Sequence, residues 1–330
     1  MDPAGLAWTD HAANPLIAPR FPRWMIADPS VLTPAETPDG RWHLFANTIP
    51  PRLVEHVSDD GVAWTKLRTL CPGAMRPYVR RLGDRWLLSY EDVHRWWPLR
   101  SRIVLRTSSD LVTWSAPRVL LSPSLPWHAT GPGRTKPRTC SNPGLVPWRG
   151  QWLLTYSAAT VWLPDCRFVE PRYIGVARAP SPEGPFTPDP EPLISPDPAD
   201  PLRNLGAGSL KLLPDESAGA LWGFTNGIAT DAEGRSRSAI QVVRLVDDAR
   251  GWEPVTTTPI VAPEARVPGS AVPGWKRALV YAMDPKVVGD DVWLFYNARD
   301  GWMVGRERIG LAVGRTALSD APSAPSGASR

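Results

Sequence analysis

Three carboxylic acids sit where apolar runs begin or end. Asp28 lies in Ala27-Asp28-Pro29, Glu91 ends the run Trp86-Leu87-Leu88-Ser89-Tyr90-Glu91, and Asp284 lies in Met283-Asp284-Pro285. Paired carboxyls suit proton transfer, because one can stay ionised while burial or a neighbouring charge keeps the other protonated. A basic set accompanies them. Arg76 precedes Pro77, Lys136 and Arg138 close the run Gly131-Pro132-Gly133-Arg134-Thr135-Lys136-Pro137-Arg138, and Arg299 follows Asn297-Ala298. Guanidinium forks grip carboxylate or phosphate at two points. Asn142, Asn226 and His128 add hydrogen-bonding groups, and the loop residues Trp97 and Trp162 offer indole faces for stacking on a ring.

These residues are far apart in the chain, so the fold must gather them. A motif that returns five times says how. Strands carrying tryptophan near their start read Trp42-His43-Leu44-Phe45-Ala46-Asn47, the Trp86 run above, Trp152-Leu153-Leu154-Thr155-Tyr156-Ser157, Trp222-Gly223-Phe224-Thr225-Asn226 and Trp293-Leu294-Phe295-Tyr296-Asn297. Each follows a shorter apolar strand, and self-similarity at a period of tens of residues marks a repeat architecture. No segment shows a sustained helical period with caps, and the 39 Pro and 26 Gly fall mostly between the runs, as turn chemistry. The pattern predicts an all-β, five-bladed propeller of four-stranded antiparallel blades.

First strands line the axis of such a ring, so their starting residues share one face with the loops that join second to third strands. That places Asp28, Arg76, Asn142, Gly206 to Ser209 and Asp284 around a central hollow. Glu170 and Glu307, in the loops of the third and fifth repeats, belong to the same face. The fifth repeat lacks a fourth strand of its own. Pro15-Leu16-Ile17-Ala18-Pro19 resembles Pro192-Leu193-Ile194-Ser195-Pro196 and Pro259-Ile260-Val261-Ala262-Pro263, both in outer strands. The N-terminal segment is therefore expected to complete the last blade. One domain over residues 1–318 and a disordered tail over 319–330 follow. The Ser58-Asp59-Asp60-Gly61 and Ser108-Ser109-Asp110-Leu111 segments read as hairpin turns whose acids are structural.

Composition narrows the function classes. A formal net charge of +4, without Lys/Arg runs, does not make the basic stripe of a nucleic-acid surface. No apolar run is long enough to span a bilayer, and the first residues lack the pattern of a signal peptide, so a cytoplasmic protein without nucleic-acid or membrane partners is expected. Cys71, Cys140 and Cys166, with five scattered His, give no metal-ligand spacing. No cofactor is implied, although one axial cation would fit such a ring.

The S-x-DG-x-x-W turn, Ala27-Asp28-Pro29 before a first strand, and Gly184-Pro185-Phe186 before an outer strand resemble the five-bladed propeller glycosidases. These are the clan of glycoside hydrolase families 43 and 62, with the fructosidase family 32 and the phosphorylase family 130 as cousins. The resemblance implies a general base on blade 1, a pKa-modulating Asp on blade 3 and a general acid Glu on blade 4. Asp28 matches the first. Asn142 and Gly206-Ala207-Gly208-Ser209 stand at the other two. The expected arrangement is thus rearranged: Asp28 as base or nucleophile, Glu91 as acid and Asp284 as modulator. Arg76, Lys136, Arg138, His128, Asn142, Asn226, Arg299, Trp97 and Trp162 would bind a small saccharide or glycoside, neutral or anionic. The alternatives are a non-hydrolytic propeller that binds a saccharide or anionic metabolite, and a phosphate-dependent glycoside phosphorylase.

Overall fold

A computed structural model describes residues 2–93, 100–130, 136–264 and 274–316. Among them, regular structure is almost entirely strand, with four short 3-10 turns. No helix among the described residues is long and apolar enough to cross a membrane. The N-terminal strand is β1 (Leu6–Asp10). Four strands then form one antiparallel sheet: β2 (Ile26–Leu32), β3 (Trp42–Thr48), β4 (Arg52–Ser58) and β5 (Thr65–Pro72). A second sheet holds β6 (Ala74–Leu82), β7 (Arg85–Asp92), β8 (Arg102–Ser108) and β9 (Arg118–Leu121). A third holds β10 (Cys140–Trp148), β11 (Gln151–Leu163), β12 (Phe168–Ala179) and β13 (Thr187–Pro188).

The remaining strands make one mixed, eight-stranded sheet. One antiparallel half is β14 (Leu210–Asp215), β15 (Ala220–Thr230), β16 (Ser236–Val246) and β17 (Gly251–Pro254). The other is β18 (Leu279–Val288), β19 (Asp291–Arg299), β20 (Glu307–Thr316) and β1. A single parallel pair, Ser238 with Leu279, joins the halves. The chain thus builds five four-stranded antiparallel units. Their first strands pack in cyclic order, β2 on β6, β6 on β10, β10 on β14, β14 on β18, and β18 back on β2.

The tryptophan-bearing runs are the second strands, as the repeat predicts. β3 is buried along its whole length because it is covered on both faces, which is why its sequence is near-continuously apolar. Apolar clusters lie between neighbouring units: Leu87 and Leu105 meet Leu154 and Ala177, while Leu44 and Val54 meet Phe295 and Leu311. Each fully buried leucine contributes about 2 kcal/mol. Trp42 stacks on Trp293 at 5.2 Å between the first and last units. Gly61 sits against this pair with φ +75, and a Cβ there would come within 2.8 Å of the Trp293 ring. In the turn it belongs to, Ser58 and Asp60 take up backbone amides, so those polar groups are structural.

The N-terminal segment does complete the last unit, but through a different stretch from residues 15–19. Leu6 to Asp10 pair with β20 from Thr316 to Ala312. Of the segment singled out by its sequence, only Ile17 bridges to Ile309. Two prolines flank that segment, and proline cannot donate to a ladder. The tail over 319–330 lies outside the described residues.

Candidate active site

The site begins with a backbone irregularity repeated in each unit. Strand register breaks between Ala27 and Ser30, Met75 and Tyr78, Ser141 and Gly144, and Tyr281 and Met283. Within these breaks, Asp28, Arg76, Asn142 and Ala282 have φ of 56, 52, 49 and 43, and Gly208, just before β14, has 64. Left-handed backbone is costly for a residue with a Cβ and persists where surrounding structure enforces it, often beside functional sites. All five residues line one cavity of about 400 Å³.

The bulges are held by polar side chains of neighbouring units. Asn47 accepts from the Arg76 amide at 2.6 Å, and Asn297 accepts from the Asp28 amide at 3.2 Å. Ser157 donates to the Gly208 carbonyl at 2.6 Å while taking a 3.2 Å hydrogen bond from Asn142. The second strands β3, β11 and β19 therefore each fix the start of the first strand in the next unit.

Asp28, Arg76, Asn142, Trp162, Asn226 and Arg299 are brought together on this cavity. Glu91 is not on its wall. It lies in a small adjoining recess, 2% exposed, with its carboxylate ion-paired to Arg76. Asp284 is also away from the cavity. It is two residues past the bulge at Ala282, not at it, and so aligns with Ser30 rather than Asp28. Its carboxylate accepts from the Val31 amide at 2.6 Å and from Ser30 Oγ at 3.3 Å, with Lys286 Nζ at 3.4 Å. It fastens the last unit to the first.

His128 is fully buried, with Nδ1 accepting from the Ser124 and Leu125 amides and Nε2 against the Tyr156 hydroxyl at 3.0 Å. Burial, aided by Arg138, pushes it down to about 4. Arg138 donates to the Leu125 carbonyl, and Lys136 is exposed. None of these three lines the cavity. Trp97 lies outside the described residues.

Two further carboxyls do line it: Glu170, on β12, and Glu307, at the start of β20. Glu307 pairs with Arg299 at 3.0 Å. Glu170 has no hydrogen bond or ion pair among the described residues. Burial raises it to about 8, against the pull of Arg76. Burial also raises Asp28, opposed first by Arg76. Asp28 and Glu170 are thus two desolvated carboxyls on one cavity, both under the pull of Arg76, and burial carries Glu170 to about 8. Glu170 is positioned by the hairpin of β11 and β12, where it pairs with Val161. Its sequence signal was only its place in a loop on the correct face.

Trp24 is a wall residue with no sequence signal, since it precedes the first repeat. It is 61% exposed and Trp162 is 55% exposed, so two indoles stand at the open side of the cavity. Beneath, the axis carries Lys211, which is 5% exposed. Among the described residues, no group of three or more His, Cys, Asp or Glu is arranged to hold a metal ion.

No protein-family model and no curated protein matches the chain. Solved structures do. The α-L-arabinofuranosidase of Podospora anserina, in complex with cellotriose, is 18% identical over 95% of this chain and 98% of its own, with a TM-score of 0.63. The β-1,2-mannobiose phosphorylase of Listeria innocua, in complex with β-1,2-mannobiose, is 13% identical over 94% and 97%, also at 0.63. An N-acetylgalactosamine deacetylase of F. plautii, in complex with blood group B trisaccharide, is 11% identical over 94% and 95%, at 0.61. Three different activities on one architecture show that the likeness fixes the fold and not the reaction. The fold of the chain is thus similar to that of these carbohydrate-active proteins.

Proposed function

We propose that the five units are the blades of a closed five-bladed propeller and that the protein cleaves the glycosidic bond of a terminal sugar held in its central cavity. Residues 1–318 form this one domain. Glu170 is the general acid and Asp28 the carboxylate opposite it. The observation that carries the reading is the state of Glu170: a buried carboxyl, raised to about 8, with no hydrogen bond or ion pair among the described residues, on the same cavity as Asp28. At neutral pH it holds a proton that it can deliver to the leaving-group oxygen as the C–O bond breaks. Asp28 has Arg76 beside it to favour the charged form, and it either takes a proton from the attacking water or attacks the anomeric carbon itself.

This reading moves the acid's role from Glu91 to Glu170, because Glu91 is already committed to Arg76. Arg76 and Arg299 each have a carboxylate partner, which favours hydrolysis over phosphate-dependent cleavage. Trp24 and Trp162 at the open side suit the apolar face of a sugar ring.

A panel of aryl and alkyl glycosides, assayed with and without inorganic phosphate, tests the proposal. Phosphate-independent release is expected, lost by a factor of about a hundred or more in Asp28→Asn. Turnover that survives Asp28→Asn would remove the mechanism. Saccharide binding without turnover of any glycoside would favour a binding propeller.

A further inference from the structure

Lys211, on β14, is a buried cation that the chemistry above does not use. Its Nζ donates to the Pro143 carbonyl and reaches the Asn142 carbonyl at 3.5 Å, so it touches the bulge of the third unit. It lies over the Tyr78 ring of the second unit at 4.9 Å. The ammonium therefore spans the axis directly under the cavity floor.

Burying an ammonium is costly, and a well-packed apolar residue of like volume would often serve stability as well or better. Cost is usually offset by an ion pair. Lys211 has none within 4 Å among the described residues, while Lys286 serves Asp284 at 3.4 Å. The field of Lys211 is thus left for the groups around it: Asp284 from β18, Asp28 from β2, and Arg76, of like sign, from β6. Asp28 in turn faces Arg76, Asn47, Lys211 and Glu91, and it acts on Glu170 and Glu307 across the cavity.

We propose that Lys211 is a positioning residue whose charge, fixed on the axis by carbonyls and a ring face, holds Asp28 ionised beneath the substrate. This rests on the role given to Asp28 above. Asp28 sits in a buried setting with three other carboxyls near it, so Arg76, already shared with Glu91, is not its sole counter-charge. Lys211 supplies the second from below, where no substrate group can displace it.

The test reads the carboxyl and not turnover, so it stands apart from whether any glycoside is cleaved. The Asp28 side-chain carbon is followed by NMR in ¹³C-aspartate-labelled protein, its signal assigned by loss in Asp28→Asn. In Lys211→Gln, which keeps a donor for the two carbonyls but no charge, the Asp28 midpoint is expected to rise by about one pH unit. Lys211→Arg should restore it. A midpoint unchanged in folded Lys211→Gln, with only a fall in thermal stability, would make Lys211 a packing residue and overturn the proposal. A second measurement leaves the lysine in place. In Glu170→Gln, which removes the other group titrating there, the Asp28 signal should show a second inflection near pH 8 as Lys211 loses its proton. A flat signal through that range also overturns it.

Discussion

Asn297 Oδ1 accepts a 3.2 Å hydrogen bond from the backbone amide of Asp28, joining residues 269 positions apart. Asn297 is fully buried, so the bond is shielded from water. It fixes the left-handed turn that brings Asp28 to the cavity. Asn297→Ala should therefore cost about 1–3 kcal/mol, the usual cost of leaving a buried donor unpaired. Urea unfolding reads the stability. A parallel drop in turnover, larger than in variants of equal stability remote from the cavity, reads the effect on Asp28.

Glu170 sets the alkaline side of activity. A general acid must be protonated, so rate should fall as pH rises through about 8, the value to which burial raises this carboxyl. Glu170→Gln should lose about a hundredfold or more on alkyl glycosides, and far less on dinitrophenyl glycosides, whose leaving groups need no proton. Equal loss on both substrate types would assign Glu170 a structural role.

Trp24 and Trp162 are exposed enough to be changed without loss of the core. Trp24→Ala should leave thermal stability within about 0.5 kcal/mol, as for other surface sites. It should raise KM about tenfold with kcat little changed, the size expected for one stacking contact. A fall in kcat with unaltered KM would place Trp24 outside substrate binding.

Acid stability turns on two buried histidines. Burial lowers both His56 and His128 to about 4, while unfolded histidine titrates at 6.5. Between those values the unfolded chain binds more protons at these two sites, so their share of the stability falls as pH drops from 6.5 towards 4, against the opposite trend from Glu170, whose raised value favours the folded state as pH falls. Each site contributes about 2 kcal/mol by pH 5. His43 works in the other direction. Burial lowers it, but Glu55 and Asp39 raise it further, so its contribution is complete below 6.5 and is lost as pH rises through its folded value. Urea midpoints measured from pH 7 to pH 5 should fall less, or rise more, in His128→Asn, which keeps an acceptor for the Ser124 and Leu125 amides, than in the unaltered protein.

The repeat made the architecture legible, because tryptophan and continuous apolar runs are dictated by sheets packed on both faces. Asp28, Arg76 and Asn142 were legible for a related reason: each precedes proline at a strand start, and each is a bulge residue. The same cue misplaced Asp284. Asp-Pro repeats the Asp28-Pro29 pattern, but the fifth bulge falls two residues earlier at Ala282, whose methyl group carries no chemical signal. Glu170 was visible only as a loop acid, since its approach to the axis depends on how far the β11 and β12 hairpin extends. Lys211 left no trace, because nothing local in Ser209-Leu210-Lys211-Leu212 says that the side chain crosses a ring to reach Pro143.

The strand at the start of the chain pairs with the strand at its end, with Asp10 opposite Ala312. During synthesis at 5–20 residues per second, β1 leaves the ribosome roughly 15–60 s before its partner exists. Pairing of β1 with β20 must wait out that interval, during which β1 is a bare strand. Its alternating exposure and the charge at Asp10 guard against capture by another nascent chain. In the finished molecule that charge is neutralised by Lys276, and Asp10 also accepts from the Tyr296 hydroxyl at 2.7 Å, so the same side chain that deters wrong pairing secures the right one.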